Sequence, residues 1–199
     1  MLAYKHTNRR GDVYLLQVGK TRTGKPRYYF GRKLTGEPVT EIPAGYEVFE
    51  LPQRGQVFLR RFRPSCIAPL ECEIVAEGIR DLSNVAHFVV DVEDDSLVVY
   101  LPTMSINKVS DLIRDLAGPD ALQVHRFREA RDQMVRESEH EKVMRFQLLN
   151  EEQRLFHVER WCFRSSLDCW MHLAGPAPLP DLVEEYVEHL GEESFYELF

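Results

Sequence analysis

The segment "GKTRTGKP", Gly19–Pro26, follows the apolar run "DVYLLQV" and comes close to the phosphate-binding pattern G-x-x-x-x-G-K-[ST]. That chemistry needs a buried strand, a glycine turn whose N–H groups face the phosphates, a lysine, and a hydroxyl residue opening a helix. The apolar run is expected to supply the strand, and Lys25 supplies the cation. Pro26 stands where the magnesium-binding hydroxyl belongs, and "RYYFGRKLTG" reads as a short aromatic strand rather than a helix. The nucleotide loop is disfavoured. The segment reads as a basic hairpin turn.

As a hairpin it gathers Lys20, Arg22, Lys25, Arg27, Arg32 and Lys33 around Tyr28, Tyr29 and Phe30. Cations that neutralise phosphates, beside rings on which bases stack, are the parts of a surface for single strands or RNA. The expected contacts are Lys20, Arg22, Lys25, Arg27 and Arg32 to phosphates, and Tyr28 or Tyr29 to a base. Arg60, Arg61 and Arg63 would extend the patch from another strand. The competing reading turns the rings into a core and leaves the cations solvated. No established RNA- or DNA-binding signature accompanies the patch.

Other chemistry is weaker. Asp91, Glu93, Asp94 and Asp95 could cage a divalent cation, or serve a metal-dependent nuclease with Lys108 or Lys142 nearby. They lack the fixed spacing of a calcium loop, so a solvated hairpin turn is the better reading. His140 sits in "SEHEK", which is not H-E-x-x-H, at the charged end of an expected helix. In "LFHVERW", His157 and Glu159 share one strand face beside Trp161, with Arg160 on the other. Histidine suits general-base work, but no motif pairs either one with a nucleophile, and both read as partly exposed structural residues. Cys66 and Cys72, and Cys162 and Cys169, lack C-x-x-C spacing. They read mainly as buried thiols, with a zinc site shared with His157 or His172 as the alternative.

The elements behind these residues fall into two blocks. "DVYLLQVG", "RYYFGRKL", "YEVFELP" and "QVFLRRF" are short β runs punctuated by Gly and Pro. Two hairpins follow, turning at Thr23–Pro26 and at Pro52–Gly55, in a small basic meandering sheet. "PSCIAP" marks a boundary. Beyond it, "LECEIVAEG" alternates as a strand, with Leu70, Cys72, Ile74 and Ala76 on one face. "AHFVVDV" and "SLVVYLP" flank a turn at Glu93–Ser96 and, apolar on both faces, read as central strands. Ser105 caps a helix that Gly118 ends, and residues 119–142 continue as helix, with Leu122, Phe127, Ala130 and Met134 apolar. "VMRFQLLNEEQRLFHVERWCF" is a hairpin about Asn150–Glu152. "GPAPLP" leads into a last amphipathic helix with Leu182, Val183, Tyr186, Val187 and Leu190 on one stripe. Phe195, Tyr196, Leu198 and Phe199 follow as terminal anchors for the body or a partner.

The fold class expected is α+β: a basic antiparallel β-hairpin module over residues 1–63, then an acidic α+β body over 64–199. Residues 1–63 carry thirteen Lys/Arg against five Asp/Glu, a net of +8. The remainder carries twelve against twenty-seven, a net of −15, and the two give the chain its −7. Such asymmetry points to an anionic partner or to mutual attraction between opposite surfaces. No apolar run is long enough to span a bilayer and the N-terminus lacks a secretion core, so a soluble, cytoplasmic protein without a membrane partner is expected.

The runs "GKTRTGKPRYYFGRK" and "IPAGYEVFELPQRGQVFLRR", with the ending "HLGEESFYELF", resemble bacterial proteins of uncharacterised function. The resemblance implies a bacterial, soluble protein and transfers no activity. Three functions follow from the residues. The first is a binding protein that contacts nucleic acid through the basic aromatic hairpin, without cofactor or metal. The second is an interaction module joining an acidic protein or a second copy of itself. The third is a hydrolase with an acidic or histidine site that the sequence does not place, requiring two or more of Asp91, Glu93, His157, Glu159 and Asp168 to converge in a pocket.

Overall fold

The computed structural model describes residues 2–162 and 168–198. Among them it has four α-helices and eleven strands in three antiparallel sheets, an α+β fold. Two compact units divide the chain, Met1–Pro64 and Ser65–Phe199, parting inside "PSCIAP".

The first unit is built on β2 (Val13–Lys20), the longest strand of its sheet. β3 (Pro26–Gly31) pairs with one edge of it, while β1 (Lys5–Thr7) and β4 (Glu37–Pro38) share the other. β5 (Tyr46–Glu50) and β6 (Val57–Arg61) form a separate two-stranded sheet. Two sheets thus replace the single meander expected. The connecting segment carries Pro38 and Pro43, and a residue without an N–H cannot carry a continuous ladder, so β4 stops after two residues. Asn8 and Arg9 join the two sheets of the unit. Asn8 Nδ2 donates to Gly55 O at 2.6 Å, and the Arg9 guanidinium meets Glu50 at 2.8 Å.

The second unit is one five-stranded sheet in the order β11-β10-β9-β8-β7, with helices on one face. Its strands are β7 (Val89–Glu93), β8 (Ser96–Pro102), β9 (His140–Asn150), β10 (Leu155–Cys162) and β11 (Cys169–Pro178). β8 is central and fully buried over most of its length, as its two apolar faces require; β7 is instead an edge, and only half-buried.

Three elements differ from expectation. Residues 69–82 form a helix, α1 (Pro69–Leu82), not a strand. Pro69 fits the first helical position, and Glu71 reaches back to the Ala68 N–H at 2.8 Å. The buried set is Glu71, Val75 and Ile79, at the i, i+4 spacing of a helix, which outweighs the alternation of Leu70, Cys72, Ile74 and Ala76. Residues 119–142 hold a shorter helix, α3 (His125–Glu137), after which the chain enters β9 at His140. It buries Val135 against Val109 and Ile113 of α2 (Ile106–Ala117), while Met134 is exposed. Finally, the proline-rich "GPAP" lies in β11. Proline is tolerated there because β11 is an edge strand.

The main core lies between the sheet and the two helices α1 and α4 (Leu179–Tyr186). Leu97, Val99, Met144, Phe146, Phe156 and Val158 fill the sheet side; Val75, Ile79, Leu182 and Val183 fill the helix side. Phe195 is buried in this core and Leu198 packs against it, so the acidic tail docks on its own unit. Buried Arg160 donates to the carbonyls of Leu198, at 3.1 Å, and Tyr196. Tyr196 itself is 69% exposed, and Phe199 lies outside the described residues. Among the described residues, no helix is long and apolar enough to cross a membrane.

Candidate functional site

The "GKTRTGKP" segment is a hairpin turn, and strand rather than helix follows it. Thr21 N donates to Lys25 O at 2.8 Å and Gly24 N to Thr21 O at 2.9 Å, with Gly24 at φ +79°. Thr21 Oγ1 also accepts from Lys25 N at 3.1 Å. The N–H groups of Thr21, Gly24 and Lys25 and the Thr21 hydroxyl therefore serve the turn itself.

The hairpin opens on a cavity of about 690 Å³ within the first unit. Lys20, Arg27, Tyr28, Tyr29 and Phe30 line one side, and residues 56–59 of and beside β6 the other. Arg22 and Lys25 stand exposed in the adjoining turn. Among the described residues, Lys20, Arg22, Lys25 and Arg27 form no ion pair with an acidic side chain. Arg32 is committed elsewhere: its guanidinium meets Asp12 at 2.7 Å and lies over the Tyr14 ring at 5.7 Å. Its pKa is raised, first by the Tyr14 hydroxyl and then by Asp12. Four of the seven expected site residues thus line the cavity, two flank it, and one is engaged with its own unit.

The rings differ in what holds them. Tyr28 packs against Tyr46 with centroids 6.1 Å apart, and Phe30 against Tyr4 at 6.3 Å. Tyr29 lies over Gly19 and Gly36, its hydroxyl 3.2 Å from Thr35 Oγ1. A Cβ on Gly36 would come within 2.6 Å of Val18 O and 2.9 Å of the Tyr29 hydroxyl, so only glycine leaves room for that ring. All three rings are half-buried, with a face or edge still open to the cavity.

Gln17 fixes this arrangement, and the sequence does not single it out. Fully buried, it accepts from the N–H groups of Thr35 and Gly36, each at 2.7 Å, and donates to Lys33 O at 2.9 Å. Three half-buried hydrogen bonds clamp the 33–36 loop beside Tyr29. A lone amide inside the apolar run "YLLQV" is the signal that could have found it. Phe58, on β6, is the other contributor the sequence leaves unassigned; it lines the cavity and is 41% exposed. Of the expected extension, Arg60 pairs with Glu47 at 2.7 Å and lies over Phe49, and Arg61 lies over Tyr46. Arg63 is exposed.

The acidic and histidine residues of the second unit do not assemble into one centre. Asp91 and Glu93 lie on β7, His157 and Glu159 on β10, three strands away or roughly 14 Å at ordinary strand spacing. Glu93 accepts from the Tyr100 hydroxyl. Asp95 binds Ser96 Oγ and Gln147 Nε2, and Asp94 takes the positive-φ position of the turn at φ 54°. Asp168 is exposed just before β11. His140 is buried, not partly exposed, with Nδ1 3.0 Å from Ser138 O, because it opens a strand rather than ending a helix.

His157 Nε2 lies 3.0 Å from Gln147 Oε1 and 3.8 Å from Glu159. Since the amide oxygen accepts, Nε2 carries the proton. Burial lowers the His157 pKa, against the opposing pull of Glu159. Only Cys162 of the four cysteines is buried; Cys72 is half-buried, and Cys66 and Cys169 are exposed. Cys162 and Cys169 are cross-strand neighbours on β10 and β11. Among the described residues no three His, Cys, Asp or Glu side chains are placed to hold a metal.

Comparison with known protein families, with curated protein sequences and with solved structures finds no match for this chain.

Proposed function

We propose that the first unit binds single-stranded nucleic acid at the cavity beside the β2–β3 hairpin. One observation carries this reading: four cations without acidic partners among the described residues adjoin a cavity lined by Tyr28, Tyr29 and Phe30, with Lys20 and Arg27 lining it and Arg22 and Lys25 beside it. An unpaired cation keeps its full charge for a phosphate, whereas one in an ion pair must first lose its partner. A cavity of about 690 Å³ is of ligand-pocket size, suited to an unstacked nucleotide and too small for a duplex. Bases from a single strand can leave their stack and meet an aromatic ring; bases in a duplex must first be unpaired, at a cost in free energy.

The test is fluorescence anisotropy of labelled single- and double-stranded RNA and DNA, titrated at several salt concentrations. Single strands should bind with affinity falling steeply as salt rises. In Lys20→Glu/Lys25→Glu/Arg27→Glu, affinity should fall by about a hundredfold or more. The slope of log affinity against log salt should shrink by about 2, at roughly 0.7 for each phosphate the variant no longer neutralises. No binding at low salt, or equal binding by the triple variant, would sink the reading.

A further inference from the structure

The sheet of the second unit turns a second face away from α1 and α4, and on it the neighbouring strands β10 and β11 set Trp161 opposite Trp170. The two indoles meet edge to face, centroids 5.0 Å apart and planes at 72°. Into the corner between them reaches Lys142 of β9, its ammonium 3.6 Å from the Trp161 centroid and 5.4 Å from that of Trp170. Both distances fall within the range over which a ring face attracts a cation. Arg145 lies over Trp170 at 4.6 Å and is also bound to Glu159, which tethers this guanidinium and offsets its charge. Both indoles are half-buried, each keeping part of its surface exposed.

We infer that Trp161 and Trp170 form a binding corner for the quaternary ammonium group of a small soluble ligand, which Lys142 fills when the ligand is absent. Two perpendicular ring faces are the minimal form of an aromatic cage, the known solution for such cations. A lysine ammonium is compact and strongly hydrated, so it gains by returning to water on its flexible stem. A methylated ammonium is poorly hydrated and gains more from the rings than it loses from water. The unit's net charge of −15 favours the approach of a cation and disfavours a polyanion.

Trp161 and Trp170 are the only two tryptophans in the chain, so intrinsic tryptophan fluorescence reports this corner alone. Choline chloride should change it saturably, beyond the change given by sodium chloride at equal ionic strength. Removing the resident cation in Lys142→Gln or Lys142→Met should tighten the apparent Kd for choline roughly tenfold, the size of one displaced cation–ring interaction. Trp161→Leu should abolish the saturable response at Trp170. The wild-type titration decides even where a variant fails to fold, because a response no larger than that to salt would overturn the proposal. So would a choline affinity in both Lys142 variants no tighter than in wild type, or binding to phosphatidylcholine vesicles without binding to free choline.

Discussion

Both units present cations and aromatic rings on antiparallel sheets, yet they use them in opposite ways. In the second unit the arginines beside the sheet are committed: Arg145 to Glu159 and Trp170, Arg154 to Glu71, and Arg160 to the tail carbonyls. In the first unit Arg9, Arg32 and Arg60 are likewise committed, but Lys20, Arg22, Lys25 and Arg27 are not. The contrast separates cations that hold a fold together from cations held ready for something else. Neither composition nor exposure alone makes that distinction; the pairing does.

The contrast breaks most forcefully at the aromatics. Phe146 is fully buried in the main core, and Phe146→Ala should cost about 3–5 kcal/mol of stability from lost transfer energy and an unfilled cavity. Phe58→Ala should cost less, about 1–2 kcal/mol, since the ring is 41% exposed, while weakening single-strand affinity several-fold. Urea unfolding and anisotropy on both variants read the two effects. A Phe58 variant that unfolds early and binds normally would make that ring a core residue and not part of the site.

A smaller effect sharpens the same comparison at the cations. Arg145→Leu leaves the Glu159 carboxylate, nearly buried, without its partner and should cost about 2–3 kcal/mol. This falls short of the full cost of breaking a buried pair because Arg145 is itself partly open to water. Arg27→Leu abandons no partner and should leave stability within about 0.5 kcal/mol while reducing nucleic-acid affinity. Equal destabilisation of the two variants would mean that Arg27 has a structural partner after all.

The parts legible in the sequence are those decided by local rules. Ser105 and Gly118 bound α2 where capping predicts, with Ser105 Oγ accepting from Lys108 N. The turns at Gly24 and Gly55 use the positive φ that glycine permits, and the 144/146/148 alternation buries its face of β9. What stays hidden is settled by tertiary context. For α1, alternation and helical spacing coexist in "LECEIVAEG"; Pro69 and Glu71 open the helix locally, and close packing of Gly78 on Val183 adds tertiary support. A Cβ on Gly78 would collide with that valine. The strand through "GPAP" becomes readable only once β11 is known to be an edge. At the site, the hairpin cations and tyrosines can be named from their types and spacing. Gln17 stands out in sequence only as a lone amide in an apolar run, and its role stays hidden because it lies in three backbone partners sixteen to nineteen residues away. Nor does the sequence show the engagement of Arg32 by Asp12, twenty residues before it.

The smallest effect expected is a pH response, and it belongs to the second unit. Burial lowers the pKa of His157, with His172 and Arg145 adding to the depression and Glu159 and Asp95 opposing it. Burial also lowers that of His87, aided by Arg136 and Arg131 and opposed by Asp132. In the unfolded chain both imidazoles titrate near ~6.5. As pH falls through that value the unfolded state takes up protons first, so stability is full above it and declines as pH drops toward the lower folded values. Below those values the loss is complete and levels off. The direction is opposite to that of a histidine held by a carboxylate, whose stabilisation would grow on acidification. Thermal melts from pH 8 to pH 5 should therefore show Tm falling below pH 7. The double variant His157→Gln/His87→Gln should flatten that fall, since a glutamine amide binds no proton and the one replacing His157 can still donate to Gln147. If wild type and variant lose the same number of degrees, the acid response arises from the carboxylates, and the polar face around Glu159 tolerates a charged imidazole.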